Sequence, residues 1–548
     1  MEDQSISLVQ KQLSSAIELL QSFQSQKNLN SKNSQYEAKL KQIRQEVIDK
    51  INTSLVDTQR EMQEQFKQTL DEFNSEFNKV ANELIEAEEN VLDQKKNSLQ
   101  TCILSQKVHR RRSSLLIKML KNEDVRTVYH IFIAIMLVMC IGEIIRGYIE
   151  NGVILDLSLF AWAFAKFHLV IIGWLLEVAW CLLVIPLVQL IHKNYLPKLV
   201  WITIYVFLQL IMYIGPCYWT LHFSLPMASG FVITCEMARM SMTMHSYLRE
   251  KLLFGNGPNE YATFIPAKFA KRGITVENLT IPTITIEDPF TELKRFLFFF
   301  FSPTLIYRDT YPRITPHRRW WNITYNLLNV CGTMFYVYLL LHTICIPYLQ
   351  ESWNKPWEIK FMLTSWFQIM LPGTMLLVLM FFGILHSWQN LWAEIMRFGD
   401  REFYTDWWNV TSFHAYYRTW NNVVHDWLFH YFYQDIYRFS KGKISQLVGF
   451  VGVFVFSAVI HEVIIAVSMG FFYPILFILF GGPGVIYTFF SRQEKRFLNV
   501  FVWSMFLIGD GLVIMLYSWE YFARQKLDLH QDYGFMAGLI PHSWVGNY

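Results

Sequence analysis

Residues 447–467 read LVGFVGVFVFSAVIHEVIIAV, and the only polar side chains among them are Ser457, His461 and Glu462. A helix needs about 20 consecutive, mostly apolar residues to cross a bilayer, so this stretch predicts a membrane-spanning helix. The whole chain is 53% hydrophobic and 17% charged, and its mean hydropathy is +0.21. Because similar apolar runs recur along the sequence, we predict an all-α, polytopic transmembrane protein.

The apolar runs define about nine candidate spans. They are Val128–Ile145, Phe167–Ile191, Leu199–Tyr218, Met227–Met244, Tyr325–Tyr348, Phe361–Leu385, Leu447–Phe472, Pro474–Phe490 and Val500–Tyr517. Residues 1–105, by contrast, are rich in Gln, Asn, Lys and Glu. This difference predicts two parts, a helical cytosolic region at 1–105 and a transmembrane domain at 106–548.

A basic cluster precedes the first predicted span. It consists of Lys107, Arg110, Arg111, Arg112 and Lys118. Positive charge beside a membrane helix favours the cytosolic side, so we expect the N-terminal region to be cytosolic. A nucleic-acid-binding patch is the alternative, but the adjacent span and the small net charge of +3 argue against it, and we expect no nucleic-acid partner.

The N-terminal region also contains a regular apolar pattern. Steps of three and four residues connect apolar positions between 36 and 55, and again between 62 and 84. A stripe this narrow on a polar helix favours a coiled coil, and therefore self-association as a dimer or tetramer. A long helix that folds back on itself or lies on the membrane would show the same pattern, so both interpretations stay open.

The first candidate functional residue is His461. An ionisable side chain in a membrane span is costly and usually faces a cavity or the protein interior. Ser457 precedes it by one helical turn and shares its face, whereas Glu462 points elsewhere and is expected to form a buried structural hydrogen bond. A desolvated His stays neutral and can accept a proton, as a general base must. A His that only packs against a neighbouring helix is the alternative, and the pattern alone does not choose between them.

A second candidate region lies at residues 397–443, which are too polar to span a membrane and unusually aromatic. Its polar candidates are Asp406, Asn409, Arg418, Asn421 and His425. Arg and Lys here could hold a phosphorylated ligand that arrives from the cytosol. The alternative is an interfacial segment with aromatic anchors and no ligand. The density of polar groups favours a binding site.

Several stretches resemble one known family, the membrane-bound O-acyltransferases, in the branch that acts on sterols and diacylglycerol. The motif FYxDWWN of that branch is matched by Phe403, Tyr404, Asp406, Trp407, Trp408 and Asn409. Tyr417–Asn421 and Val424–Trp427 resemble the sterol O-acyltransferase version of the following sequence. Further similarities lie at Val125–His130, Pro303–Pro312 and Ser457–Glu462. The likeness extends from about Arg110 to the C-terminus.

The resemblance implies transfer of a long-chain fatty acyl group from acyl-CoA to the 3-hydroxyl of a sterol, in the endoplasmic reticulum membrane. It implies that His461 is the general base and that Asn421 donates a hydrogen bond to the substrate or the oxyanion. The residues implied to contact acyl-CoA are Arg418, Asn421, His425, Tyr433, Lys443 and Ser457, and His130 is implied on the sterol side. The thioester is already activated and the sequence shows no metal-ligand cluster, so we expect neither a metal nor a cofactor.

Two other functions are compatible with this resemblance. The first is a diacylglycerol acyltransferase of the same superfamily. That branch typically has His-Lys-Trp, whereas this chain has His425-Asp426-Trp427, which argues for the sterol branch. The second is a non-catalytic membrane protein that retains the fold, and the presence of both His461 and Asn421 argues against it.

Overall fold

The computed structural model describes residues 106–254, 284–314, 317–353, 359–440, 446–490, 495–526 and 541–544, with scattered positions between 38 and 49. Within these residues the regular structure is helical, apart from two isolated β-bridges. This confirms the all-α class. The predicted coiled coil and the region 1–105 lie outside the described residues, apart from those scattered positions, and stay predictions. The residues from 106 onward belong to one compact unit, Leu99–Tyr548.

The α-helices are numbered along the described chain. They are α1 Leu115–Met119, α2 Glu123–Asn151, α3 Ser158–Ala163, α4 Phe167–Leu182, α5 Val184–His192, α6 Lys198–His222, α7 Met227–Phe254, α8 Pro289–Phe301, α9 Trp320–Leu340, α10 Ile346–Ser352, α11 Ile359–Met380, α12 Gln389–Met396, α13 Phe413–Thr419, α14 Asn422–Trp427, α15 Gln434–Phe439, α16 Gln446–Met469, α17 Ile475–Leu479, α18 Val485–Phe490 and α19 Leu498–Lys526. Adjacent helices are joined by π-helical turns at Leu341–Cys345, Phe381–Trp388, Leu428–Tyr433 and Phe480–Gly484. Short 3-10 turns occur at Trp407–Asn409 and His542–Trp544.

Among the described residues, 7 helical stretches are long and apolar enough to cross a membrane. They are Glu123–Glu150, Ser158–His192, Lys198–His222, Trp320–Ser352, Ile359–Met396, Val448–Met469 and Leu498–Gln525. Each overlaps one of the spans predicted from the sequence. This agreement confirms a polytopic membrane architecture.

The predicted span Met227–Met244 lies within α7, which is long but not apolar enough to count among those stretches. Helix α7 packs against α4, α6 and α16. Its polar side chains have protein partners, because Trp174 donates to Glu236 at 2.8 Å and Arg239 pairs with Glu236 at 2.8 Å. A helix enclosed by its neighbours does not need a continuous lipid-facing apolar surface, which explains its polarity.

The predicted span Pro474–Phe490 is not one continuous apolar helix of spanning length either. It is divided into α17 and α18, and the π-helical turn between them contains Gly481, Gly482 and Pro483. Proline lacks the backbone N–H that a regular helix would use here, so the hydrogen-bond pattern changes at this point. The apolar stretch Ile475–Tyr487 is accordingly shorter than the 7 stretches above.

Helix α16, which carries His461, crosses α7 at close range. A Cβ built on Gly230 of α7 would lie 3.1 Å from the Cα of Ser468, so glycine permits this approach of the two backbones. Thr234 Oγ1 and Ser468 Oγ lie 3.2 Å apart across the same crossing. Ala458 of α16 is fully buried, whereas His461 is exposed. The crossing therefore fixes α16 while its histidine face stays open.

The segment at 106–114 runs across the loop that follows α12. Arg112 N donates to Gly399 O at 2.9 Å, and Arg401 N donates to Arg112 O at 3.2 Å, which makes a short parallel bridge. The buried carboxylate of Asp400 pairs with Arg112 Nε at 2.9 Å and with His109 Nδ1 at 3.3 Å. Arg112, a member of the predicted basic cluster, thus connects this segment to the start of the aromatic region at 397–443.

Candidate active site

The imidazole of His461 is oriented by its own helix. Its Nδ1 lies 2.7 Å from the carbonyl oxygen of Ser457. A carbonyl oxygen can only accept a hydrogen bond, so Nδ1 carries the hydrogen and donates it. In the neutral ring the other nitrogen, Nε2, then has the free lone pair. The geometry therefore presents Nε2 as a proton acceptor.

Ser457 and His461 lie on one face of α16, as their spacing requires, and Ser457 Oγ is 3.5 Å from Nδ1. The described residues leave the imidazole exposed. The described residues therefore do not bury this ring, and its desolvation within the membrane stays a prediction. A hydrogen bond to the helix backbone, rather than burial, selects the tautomer with a free Nε2.

The neighbouring Glu462 has a different environment. Its side chain is buried and accepts hydrogen bonds from Phe477 N at 3.1 Å and from the Tyr517 hydroxyl at 3.1 Å. These contacts tie α16 to α17 and α19. A buried carboxyl with two such donors holds helices together, which is the structural hydrogen bonding that its position predicted.

Aromatic side chains connect His461 to the loop that contains the family motif. The His461 ring lies 5.9 Å from Phe480, and Phe480 lies 5.2 Å from Tyr417 on α13. Phe454 of α16 completes the contact, with its ring 4.7 Å from Tyr417. Sequence reasoning did not assign a role to Phe480 or Tyr417. The contacts between them join distant parts of the chain, which no local pattern reveals.

The aromatic motif residues mostly form a packed core. Phe403, Tyr404 and Trp407 are all at most 2% exposed, and Trp407 meets Trp420 edge-to-face at 4.6 Å. Burial raises the pKa of Tyr404, and its hydroxyl lies 2.6 Å from His386 Nδ1 and close to Ser114. The buried hydroxyl of Tyr404 has hydrogen-bond partners, which indicates a structural role for this side chain.

The backbone of the same motif is held from the other side by α19. Asn499 Nδ2 donates to Trp408 O at 2.9 Å and to Val410 O at 2.8 Å, and Trp503 Nε1 donates to Trp408 O at 3.1 Å. Asp406 and Asn409 are exposed. The buried residues of the motif therefore support the loop, whereas its exposed polar side chains stay accessible.

Asn421 starts α14. Its Oδ1 accepts a hydrogen bond from Val424 N at 3.2 Å, which caps the helix. Since Oδ1 is used in this way, the other end of the amide, Nδ2, is a donor, and it has no hydrogen bond to the residues that the structure describes. Asn421 forms no direct hydrogen bond with His461 among those residues. Tyr417, one turn earlier in the chain, is connected to His461 through Phe480.

A polar cleft of about 390 Å³ opens beside α13 and α14. Its lining residues are Lys107, Glu402, Thr405, His414, Ala415, Arg418, Thr419, Asn422, His425 and Asp426. Two of the predicted acyl-CoA contacts, Arg418 and His425, are therefore brought together here. Lys107 and His414 were not predicted as ligand contacts, and Lys107 is 319 residues from its partner Asp426.

Opposite charges meet in this cleft. Lys107 Nζ lies 2.5 Å from Asp426 Oδ2, and His425 Nδ1 lies 3.7 Å from Asp426 Oδ1. Burial favours the neutral carboxyl, but the His425 side chain and the Lys107 ammonium outweigh it and lower the pKa of Asp426, so this group stays charged. Arg418 is exposed and forms no ion pair with any residue in the described ranges. The cleft thus contains a free guanidinium for an anionic ligand.

Tyr433 does not line the cleft, but stacked aromatic rings connect it to His425, which does. His425, Phe429 and Tyr433 form a ladder of stacked rings, with centroids 6.4 Å and 5.7 Å apart. A Cβ built on Gly449 of α16 would lie 2.9 Å from Tyr433 Cε2, so Tyr433 packs tightly on the helix that carries His461. The ladder extends from the cleft to that helix.

Two predicted site residues are not brought into this region. Lys443 lies outside the described residues. His130 is exposed on α2, which packs against α9, where Tyr129 donates a hydrogen bond to Asn329 at 3.1 Å. The described contacts therefore do not place His130 beside His461, and its sterol-side role stays a prediction.

The fold and this site define a polytopic, α-helical membrane protein with a proton acceptor on one helix and a polar cleft beside it. A family model described as MBOAT, membrane-bound O-acyltransferase family, matches residues 259–519. Sterol O-acyltransferase 1 of Mus musculus is 35% identical over 455 residues, which cover 80% of this chain and 78% of that protein. Sterol O-acyltransferase 2 of Homo sapiens is 34% identical over 446 residues, which cover 80% of each chain. The chain belongs to the membrane-bound O-acyltransferase family.

Proposed function

We propose that this protein transfers a long-chain fatty acyl group from acyl-CoA to the 3-hydroxyl of a sterol, with release of CoA. The observation that carries the chemistry is the hydrogen bond of 2.7 Å that fixes His461 Nδ1 as donor and frees Nε2. The similarity to proteins named sterol O-acyltransferase, over 80% of the chain, supports a sterol as acceptor. The diacylglycerol alternative has no such support among these relatives.

In the proposed reaction His461 Nε2 takes the proton of the sterol hydroxyl as its oxygen attacks the thioester carbonyl. The tetrahedral intermediate carries a negative oxygen, to which Asn421 Nδ2 donates a hydrogen bond. The C–S bond then breaks, and the leaving CoA sulfur takes the proton from His461 Nε2, which returns the histidine to its neutral form. The products are a sterol ester and CoA, so atoms and charges balance without a covalent enzyme intermediate.

The two substrates differ in where they dissolve. Sterol and acyl chain partition into the bilayer, which α16 is long and apolar enough to cross, whereas CoA needs an aqueous site. Arg418 and His425 in the polar cleft supply that site, with Tyr433, Ser457 and Lys443 as further proposed acyl-CoA contacts. His130 is kept as a candidate sterol contact. We place the protein in the endoplasmic reticulum membrane as a homo-oligomer.

The test uses full-length protein in lipid nanodiscs with oleoyl-CoA and either cholesterol or diacylglycerol. We expect ester formation with cholesterol, and its loss in His461→Ala by at least about 100-fold. His222→Ala is the matched control, since His222 is exposed at the end of α6 and should leave turnover unchanged. Esterification of diacylglycerol alone would refute the sterol assignment, and normal turnover in His461→Ala would refute the base.

A further inference from the structure

Lys107 lies in the polar cleft although it precedes the first membrane helix in the sequence. Its side chain is 19% exposed, and its ammonium contacts Asp426 at 2.5 Å. The side chains beside it in the cleft include Arg418 and His425, which the proposed function assigns to acyl-CoA. The Lys107 ammonium therefore lines the same cleft as the two side chains assigned to the acyl donor, acyl-CoA.

The position of Lys107 is built into the fold. Its carbonyl oxygen accepts a hydrogen bond from Arg308 Nη2 at 3.1 Å. Further along the same segment, Asp400 holds both His109 and Arg112, and Arg112 also forms the short bridge to the loop at 399–401. A backbone held at several points presents the side chain in one place, whereas a lysine on a free tail would sample many.

The balance of charge in the cleft allows an anion to bind. The lining carboxylates are Glu402 and Asp426, and Glu402 pairs with Arg112 outside the lining set. Asp426 uses one of the three hydrogens of the Lys107 ammonium, so two remain for a ligand. CoA carries a pyrophosphate and a 3′-phosphate, and phosphate oxygens are strong acceptors for ammonium and guanidinium groups.

We propose that Lys107 is an acyl-CoA-binding residue, whose ammonium donates to a phosphate group of the donor while Asp426 positions it. This inference rests on the proposed function for the identity of the donor. In this proposal the segment at 106–112 contributes to ligand binding as well as connecting the N-terminal region to the membrane domain. The segment closes one side of the cleft and supplies one of its cations.

The test measures binding of CoA to the full-length protein by calorimetry, and the KM values for oleoyl-CoA and cholesterol. We expect Lys107→Met to weaken CoA binding and raise the KM for oleoyl-CoA by about tenfold, the effect of losing one charge-assisted hydrogen bond at a partly exposed site. The kcat and the cholesterol dependence should stay within about twofold. Lys107→Arg, which keeps the charge, should retain most of the affinity.

Two controls separate a phosphate contact from other effects. Lys118→Met removes the same charge from an exposed position on α1 and should change nothing. Oleoyl-pantetheine has no phosphate, so Lys107→Met should leave its turnover unchanged, and an equal loss with both donors would overturn the proposal.

A double variant tests whether Lys107 merely neutralises its neighbour. If Lys107→Met combined with Asp426→Asn regains wild-type affinity for CoA, Lys107 does not contact the ligand and the proposal is wrong. We expect the double variant to stay weak. Calorimetry needs no acceptor, so a protein that binds CoA through Lys107 but esterifies no sterol would refute the proposed function and leave this inference standing.

Discussion

The substitution Asp400→Asn tests how the segment before the first membrane helix is held. The Asp400 side chain is 4% exposed, and it pairs with Arg112 through two contacts, at 2.9 Å and 3.0 Å. It also contacts His109 Nδ1 and the backbone N–H of Arg110, each at 3.3 Å. Asparagine keeps the shape and one acceptor oxygen but removes the charge that these donors share.

The expected cost follows from burial. Removing one partner of a fully buried ion pair costs about 3–5 kcal/mol, whereas an exposed pair contributes less than about 1 kcal/mol. Arg112 is 30% exposed and keeps its contact with Glu402, so part of this cost is screened. The free energy of unfolding should fall by about 2 kcal/mol, which corresponds to roughly 2 °C in Tm for a chain of this length.

The measurement is the Tm of the purified full-length protein in one detergent. Asp124→Asn is the matched control, because it removes the same charge from the exposed first turn of α2 and should cost well under 1 kcal/mol. If Asp400→Asn and Asp124→Asn melt at the same temperature as the wild type, Asp400 does not fasten this segment and the reasoning fails.

Three further predictions concern single side chains. Asn421→Asp keeps the capping oxygen but removes the Nδ2 donor, so kcat should fall about 100-fold at unchanged Tm; a matching loss of Tm would contradict the role. Gly449→Ala should displace Tyr433, 2.9 Å from the added carbon, and raise the acyl-CoA KM severalfold, whereas Gly452→Ala, with its nearest atom at 3.7 Å, should not. Burial lowers the pKa of His109 below 6.5, an effect that Asp400 opposes and Arg308 reinforces. The folded protein therefore lacks a proton that the unfolded chain takes up, and stability is full above about pH 6.5 and falls below it. The loss of Tm between about pH 7.5 and about pH 5.5 should be smaller in His109→Asn, and an equal loss would show that His109 is not responsible.

Much of the membrane architecture could be predicted because hydropathy reports directly on contact with lipid. The two exceptions have physical reasons. Helix α7 is enclosed by other helices, so it can contain charged residues such as Glu236 and Arg239, which pair with protein groups instead of facing lipid. The stretch at 474–490 has the composition of a span, but Gly481, Gly482 and Pro483 divide it. Mean hydropathy over a window of residues detects neither the enclosure of α7 by other helices nor the break at Gly481–Pro483.

The candidate site was predictable where local spacing determines it. The four-residue separation of Ser457 and His461 places them on one face of a helix in any fold. The hydrogen bond from Nδ1 to the Ser457 carbonyl depends on a rotamer, which spacing does not specify. Aromatic side chains in a packed core and at a membrane interface have the same composition, so the sequence could not show that Tyr404 and Trp407 are buried. The position of Lys107 in the cleft depends on its contact with Asp426, which is 319 residues away in the sequence, so no local pattern could show it.

In the proposed reaction, the arrangement of α13 separates the binding places of two chemically different substrates. Tyr417 and Arg418 are consecutive, and consecutive helical side chains point about 100° apart. Tyr417 contacts Phe480 beside His461, whereas Arg418 lines the polar cleft. A donor with its phosphates at Arg418 must therefore pass around α13 to bring its thioester to Nε2. In this proposal the long pantetheine arm of CoA provides that reach, and α13 separates the proposed phosphate site from His461.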